Sequence, residues 1–598
     1  MGVFSRNRSW RGGVELSKNK DQNPALAAAE EAMNKIYDCL NRGNSFVLEA
    51  GAGAGKTYSL IKTLEYLISK RGNNLLRNNQ QIACITFTNV ACDEIREELS
   101  DHPAVLVSTI HSFCWSLIKH FQLILWEKLH HLPKWEERLA AVTIKHPVKI
   151  DYELGYREVD NEKILLGHDD VILLTIQLME NIKFRRIISS RYPILFIDEY
   201  QDTNQAFAES LLKYILDEKS NMIVGFFGDS WQKIYDNGCG TIVNKNLIRI
   251  DKRSNFRSCK TIVDVLNQIR PELKQVVKDP HLTGYVKVFH TNDWKGKRLE
   301  DKNWKDDLPS EVARSAVDVT EEILTKDGWD FSPERTKILM LTHKLLAHEQ
   351  GYSGIENVFQ GRSEFFVKLE DPHLHFLVKT VEPVCVAFEN KKYGDMFNLL
   401  ERRTPGIRSI DDKKIWHEDM ATLLRLRSEG TIGDVIDHLL KTKRPRLPSV
   451  VEEREQELLK YDPKNDDEKI ESMERLRKLK EVPYQEIVQL SQFIEEKTPF
   501  STKHGVKGAE FENVLVVIRR GWNRYDFNKF LEYSQAPESI PDKKQDFYER
   551  NRNLFYVAVS RPKKRLAVLF THKLSDKALV TLEQWFGKEN IQSIGYLI

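Results

Sequence analysis

The sequence predicts an α/β fold built on parallel sheets, from the following observations. Ser45-Phe46-Val47-Leu48-Glu49 is an apolar run of strand length, and it enters a glycine-rich turn. The turn is followed by Leu60, Ile61, Leu64 and Leu67 at helical spacing, so strand, loop and helix come in succession. Pro193–Ile197 and Met222–Phe227 are two more short apolar runs, each ending in polar residues. Continuous apolar runs, in place of alternation, suit strands covered on both faces.

At 598 residues the chain is too long for one core, so several domains are expected. A charged fraction of 30% suits a globular protein with a large hydrated surface. The net charge is only +2, from 90 basic and 88 acidic side chains, so a nucleic-acid track would have to be local. The seven cysteines include no CxxC pair, which argues against a zinc site, an iron–sulfur cluster or a disulfide framework. No apolar run approaches a membrane span, and the basic stretch with Arg6, Arg8, Arg11, Lys18 and Lys20 lacks a signal-peptide core. Residues 1–20 are read as a flexible basic tail, no membrane partner is expected, and the expected location is cytoplasmic.

Ala50-Gly51-Ala52-Gly53-Ala54-Gly55-Lys56-Thr57 has the makings of a phosphate-binding loop. Glycines let successive backbone N–H groups curl round phosphates; Lys56 would reach the β- and γ-phosphates and Thr57 would offer its hydroxyl to Mg²⁺. The usual first glycine is Ala50 here. A plain glycine-rich turn is the bland alternative, and Gly-Lys-Thr at the opening of a helix leaves it little weight. Pro193–Ile197 then ends in Asp198-Glu199, two carboxylates at the C-terminal end of a strand. Asp198 is expected to hold Mg²⁺ and Glu199 to polarise an attacking water. Acidic pairs are common on solvated faces, but here a buried-strand run and a phosphate loop accompany this one. The third run leads into Gly228-Asp229-Ser230-Trp231-Gln232, where Gln232 could sense the γ-phosphate.

Read in order, further segments resemble the motif set of UvrD/Rep/PcrA-like superfamily 1 DNA helicases. Thr86–Ile95 resembles TFTNxAAxEI, Thr109–Phe113 resembles TxHSF, and His168-Asp169-Asp170 resembles the short acidic element that follows. Asn255-Phe256-Arg257-Ser258 is similar to NYRS, Thr502–Phe511 to TxHxxKGLEF with Ala509 for its Leu, and Tyr556–Arg561 to YVAxTR with Ser560 for Thr. The resemblance spans roughly residues 45 to 570. It implies two RecA-like P-loop domains with parallel sheets, each carrying a mainly helical insertion, with ATP and Mg²⁺ as cofactors. Arg257 and Arg561 would neutralise charge on the γ-phosphoryl group, Phe256 would stack near the adenine, and Glu510 would contact the ribose. The family reads adenine through a glutamine upstream of the loop; Gln22 is the only nearby glutamine, and its spacing is long for that role.

The same resemblance implies a track for single-stranded or tailed duplex DNA, gripped by stacking aromatics and polar groups. Phe87, Asn89, Thr109 and His111 would line it on the first domain, Tyr235 near its centre, and Thr502 and His504 on the second. Phe87 and Phe113 could instead be core. One departure is clear: where the family follows the tyrosine with Arg-Trp-Arg-Gly, this chain has Asp236-Asn237-Gly238-Cys239-Gly240. Trp231 lies close by without being an assured substitute.

Motif spacing divides the chain as follows. Residues 21–110 and 166–262 would form the first RecA-like domain, with 111–165 as a small helical insertion. Residues 263–370 and 498–598 would form the second, including the strand run Lys337–His343, with 371–497 as its helical insertion. The mixed-charge run Asn465–Glu481 reads as a solvated helix. One strand, Leu566–Phe570, and a helix follow Arg561, which leaves no expectation of a fused nuclease.

The leading reading is an ATP-dependent single-stranded DNA translocase and helicase, 3′–5′ by resemblance. A second is a DNA-sensing ATPase subunit that regulates a partner nuclease with little processive unwinding. Compact UvrD-like proteins of bacterial antiphage systems, such as the Gabija helicase subunit, have this build. A third, a decayed motor, conflicts with intact Lys56, Asp198, Glu199, Gln232, Arg257 and Arg561.

Overall fold

The computed structural model describes residues 23–140, 148–152, 157–159, 163–218, 220–235, 237–301, 304–340, 346–347, 350–360, 362–367, 369–400, 404–461, 470–495, 500–501, 510–520 and 525–598. The chain forms two compact units, residues 1–286 with 536–564 and residues 287–535 with 565–598.

The first unit is built on six strands: β1 (Ser45–Ala50), β2 (Ile82–Thr86), β3 (Val105–Thr109), β4 (Ile194–Asp198), β5 (Ile223–Gly228) and β6 (Leu247–Lys252). Their order is β3-β2-β4-β5-β1-β6, and every pairing is parallel. β1, β2, β4 and β5 are buried on both faces, as their uninterrupted apolar runs require, while the edge strands β3 and β6 are partly exposed. Period-two alternation sends Phe46, Leu48, Cys84, Phe196 and Phe227 to one core. That core also takes Ile36 and Leu40 from α1 (Pro24–Arg42) and Leu60 and Leu64 from α2 (Lys56–Arg77). Val47, Ile85, Leu195, Ile197 and Phe226 go to the opposite core with Phe113, Trp135 and Leu174. Gly225 lies opposite both Phe46 and Phe196 in the strand register. A methyl group there would come within 2.7 Å of the Phe196 ring and 2.8 Å of the Phe46 ring, so the sheet closes only over a hydrogen.

Helices Ile110–Ile118, Gln122–Leu129 and Pro133–Ala140 follow β3. A small sheet of Lys149–Asp151, Glu158–Val159 and Lys163–Leu165 comes after them, with one parallel and one antiparallel pairing.

The second unit is organised on β7 (Tyr285–His290), β8 (Thr336–Met340), β9 (Phe500–Ser501), β10 (Phe511–Ile518), β11 (Pro562–Phe570) and β12 (Ile591–Ser593), in the order β9-β8-β10-β11-β7-β12. β8 pairs parallel with β9 and β10, and β7 with β12. Of the strand run predicted at Lys337–His343, the part to Met340 lies in β8, and the part from Leu341 on lies outside the described residues. Between β8 and β9 the described residues are mainly helical. Ser409 and Thr431 open helices Ile410–Glu429 and Ile432–Thr442 through reciprocal capping with Asp412 and Asp434. Several buried charges there are paired: Arg427 donates to Glu382 at 2.9 Å, and Glu455 bridges His373 at 3.0 Å and Lys480 at 2.5 Å. The fold is thus α/β, with two parallel-type sheets and helical insertions.

Among the described residues no helix is long and apolar enough to cross a membrane.

Candidate functional site

The loop after β1 is shaped by two left-handed glycines, Gly53 at φ 73° and Gly55 at φ 72°, a conformation that L side chains adopt at a cost. Its carbonyls are turned into the protein. Ala52 O accepts from Asn255 Nδ2 and from Gln275 Nε2, both at 3.0 Å. Gly53 O accepts from the Phe256 N–H at 2.9 Å, Ala54 O from Ser254 Oγ at 3.2 Å, and Gly55 O from Lys252 Nζ at 2.8 Å. The C=O and N–H of a trans peptide point in opposite directions. Tethering these oxygens therefore aims the N–H groups of Gly53, Gly55 and Lys56 to the other side, where α2 begins. A concave row of N–H groups at a helix N-terminus is an anion cradle.

Lys56, the first residue of α2, points at the end of β4. Its Nζ lies 2.6 Å from Glu199 and 3.8 Å from Asp198. Burial works against the charge on Lys56, yet the two carboxylates outweigh it and hold its pKa above the ordinary value. Glu199 sits at φ 49°, a left-handed conformation costing about 1–3 kcal/mol in a non-glycine residue. Strain of that kind at a carboxylate beside the cradle suits a group held for chemistry. Asp198 and the Thr57 hydroxyl are oxygen donors, the kind Mg²⁺ takes, and among the described residues no cluster of three His, Cys, Asp or Glu could hold an ion. An ion here would therefore be completed by phosphate oxygens and water.

Gln232 stands between two groups. Its Nε2 donates to Asp229 Oδ2 at 2.7 Å, and its Oε1 accepts from Arg561 Nη2 at 2.8 Å. Arg561 is 1% exposed and also donates to Val557 O at 2.9 Å. Burial, then Arg257, lowers its pKa to about 9. Arg257 donates to Ser560 O at 3.0 Å. Lys56, Asp198, Glu199, Gln232, Arg257 and Arg561 all belong to the first unit. Phe256 is half-buried, and a side chain at Gly55 would meet its ring at 3.7 Å. Glu510 is exposed and belongs to the second unit.

Of the candidate DNA residues, Phe87 is 40% exposed and its ring lies 4.9 Å from that of Tyr235. Asn89 is exposed at the start of helix Asn89–Glu98, which Thr88 caps. The Thr109 hydroxyl accepts from the Ser112 N–H and so caps helix Ile110–Ile118. His111 packs against His168 at 4.9 Å, and burial, then His168, lowers its pKa to about 4. Phe113 is core, 2% exposed against Tyr192. Asp170 is tied up by Arg157 at 2.7 Å and by the Gly167 N–H at 2.8 Å. Trp231 packs against Tyr556 at 5.5 Å, with the Arg552 guanidinium 4.2 Å from its ring, so it is engaged inside the unit. Thr502, His504 and Gln22 lie outside the described residues.

Other groups at the loop carry no motif. Gln275 packs on Gly51, where a methyl would come within 2.5 Å of its amide. Lys252 is 1% exposed, donates to Gly55 O and Ser59 Oγ, and is pushed down to about 7 by burial. Arg270, 2% exposed, lies 2.6 Å from both Glu49 and Asp229. A lone Lys, Gln or Arg has no periodicity to betray it, and only the apolar setting of Glu49 signals a buried partner.

Two family models match the chain: an AAA domain over residues 34–237 and a UvrD-like helicase C-terminal domain over residues 356–573. Gabija protein GajB of Bacillus cereus (strain HuB5-5) is 26% identical over 92% of this chain and 96% of its own. ATP-dependent DNA helicase PcrA of Staphylococcus aureus (strain NCTC 8325 / PS 47) is 26% identical over 37% of each chain. A probable DNA helicase II homolog of Mycoplasma capricolum is 25% identical over 42% of this chain and 41% of its own. The glycine-rich loop and paired carboxylates, with the AAA domain match and the UvrD-like helicase C-terminal domain match, support a UvrD-like helicase, and the enzyme is a DNA-dependent ATPase and helicase.

Proposed function

We propose that the chain is a 3′–5′ single-stranded DNA translocase that hydrolyses Mg²⁺-ATP at the loop 50–57. The observation that carries this reading is the joining of Lys56 to Asp198 and Glu199, with Gln232 and Arg561 paired beside them. Bound nucleotide supplies the γ-phosphoryl group; Thr57 and Asp198 would hold Mg²⁺, which would offset the charge of the phosphates. Lys56 binds the phosphates, Glu199 takes the proton of the attacking water, Gln232 orients that water, and Arg257 and Arg561 offset the charge that develops. Phe256 faces the base, and Glu510 the ribose. Single-stranded or tailed duplex DNA runs over Phe87, Asn89, Thr109, His111 and Tyr235, then Thr502 and His504. The domain division by motif spacing stands as part of this reading.

The full-length likeness to GajB, against partial likeness to PcrA, favours a second reading. In it the chain is a DNA-sensing ATPase of bacterial antiphage defence, acting in the cytoplasm with a partner nuclease and unwinding little. One experiment separates the two: hydrolysis with and without single-stranded DNA, beside unwinding of a 3′-tailed duplex. Stimulated hydrolysis with unwinding supports the motor; stimulated hydrolysis without it supports the sensor. No hydrolysis under any condition defeats both.

A further inference from the structure

Arg270 is a buried cation of the first unit, 2% exposed, that the ATP chemistry above leaves without a task. It comes from the end of helix Lys260–Ile269, yet its guanidinium reaches two strand ends of the sheet. Nη2 donates to Glu49 Oε1 at the end of β1, and Nη1 donates to Asp229 Oδ1 just past the end of β5, each at 2.6 Å. Trp231 and Tyr556 flank it, with ring centres 5.0 and 5.6 Å away. Glu49 is further held by Tyr200 Oη at 2.5 Å and Ser230 Oγ at 2.6 Å. The other oxygen of Asp229 takes the Gln232 amide N–H at 2.7 Å, and the Gln232 carbonyl oxygen then faces Arg561.

We propose that Arg270 is a positioning residue for hydrolysis: by clamping Asp229 to the strand that feeds the phosphate loop, it fixes which way the Gln232 amide faces. An amide can present either end to its surroundings, and a neighbour that only accepts, or one that like Arg561 only donates, sorts them. Asp229 as a carboxylate is such a neighbour; protonated, it would serve either end. Burial raises the Asp229 pKa above its ordinary value, and the Arg270 charge is the largest influence holding it down. The fork geometry matters as much as the charge, because two carboxylates on different strands are held at once. This inference rests on the proposed hydrolytic reading of Gln232 and Arg561.

The test uses the full chain carrying Arg270→Lys, which keeps a cation but loses the fork. Turnover should fall roughly 10-fold or more, the order expected for losing one oriented contact, while affinity for a fluorescent ATP analogue stays within about 2-fold. Should Arg270→Lys not fold, the double variant Glu49→Gln/Arg270→Gln removes the Glu49–Arg270 pair while keeping Asp229, and the same split is read on it. Wild-type turnover per folded molecule in whichever variant folds would overturn the inference while leaving the hydrolytic reading intact. A wild-type chain that hydrolyses nothing defeats the reading and the inference with it.

Discussion

Lys56 and Glu199 form an ion pair at 2.6 Å across the mouth of the phosphate loop. On the proposed reading this pairs the cation for phosphate with the carboxylate for water, and nucleotide would have to draw Lys56 away to release Glu199. Glu199→Gln should keep nucleotide binding and lose turnover by about 10²–10⁴-fold, the range for removing a general base. Steady-state hydrolysis beside analogue binding measures this. Equal loss of both would mean that Glu199 serves structure alone.

Arg561 is buried and bonded to Gln232, so truncation removes both a charge and a partner. Arg561→Ala should lower turnover at least about 100-fold with nucleotide affinity little changed. Normal hydrolysis by this variant would remove Arg561 from the chemistry.

Lys252 makes a prediction about pH. Its folded pKa, about 7, lies below the value near 10.4 of an unfolded lysine. Between these values the unfolded chain binds more protons than the folded one, so stability rises with pH. The penalty for burying the charge is fully present below about pH 7 and is relieved toward pH 10. Lys252→Met should therefore flatten the rise of melting temperature between pH 7 and 9. A parallel slope in wild type and variant would show that Lys252 stays charged.

Phe87 and Tyr235 present the described aromatic pair of the candidate DNA track. Phe87→Ala should weaken single-stranded DNA binding by about 1–3 kcal/mol at fixed salt, without a base preference appearing or vanishing. Anisotropy titrations with homopolymers check it, and unchanged affinity would return Phe87 to a packing role.

His111, held near pKa 4, is neutral around pH 7 and would meet DNA as a hydrogen-bonding group without charge. His111→Gln should leave the salt dependence of DNA binding unchanged. A slope lowered by about one ion would place a cation there after all.

The sheets and the loop were legible because burial on two faces forces uninterrupted apolar runs, as at Phe196 and Phe226, and because phosphate cradles need glycine at fixed steps. Asp198 and Glu199 could be read from their place at a strand's end. The neighbourhood of Arg561 could not: Val557 lies one turn back in the chain, but Gln232 and Arg257 meet it from two distant stretches, and only packing brings them together. Arg270 and Lys252 were invisible for a related reason, since their burial depends on helix and strand ends whose positions no local pattern records. The Thr109 hydroxyl shows the opposite hazard, a residue of a functional motif whose visible work is to cap a helix.

Gly225 carries a consequence for how the enzyme can vary. It sits mid-strand between the rings of Phe46 and Phe196, and two residues further on the paired strands are Asp198 and Phe227. A single added carbon would wedge β4 from β5 near where one delivers Asp198 and the other leads to Asp229. Activity would then be lost with every catalytic side chain still in the sequence. The sites at which this enzyme is fragile extend into its hydrophobic interior, and a survey confined to the residues that touch ATP would miss this one.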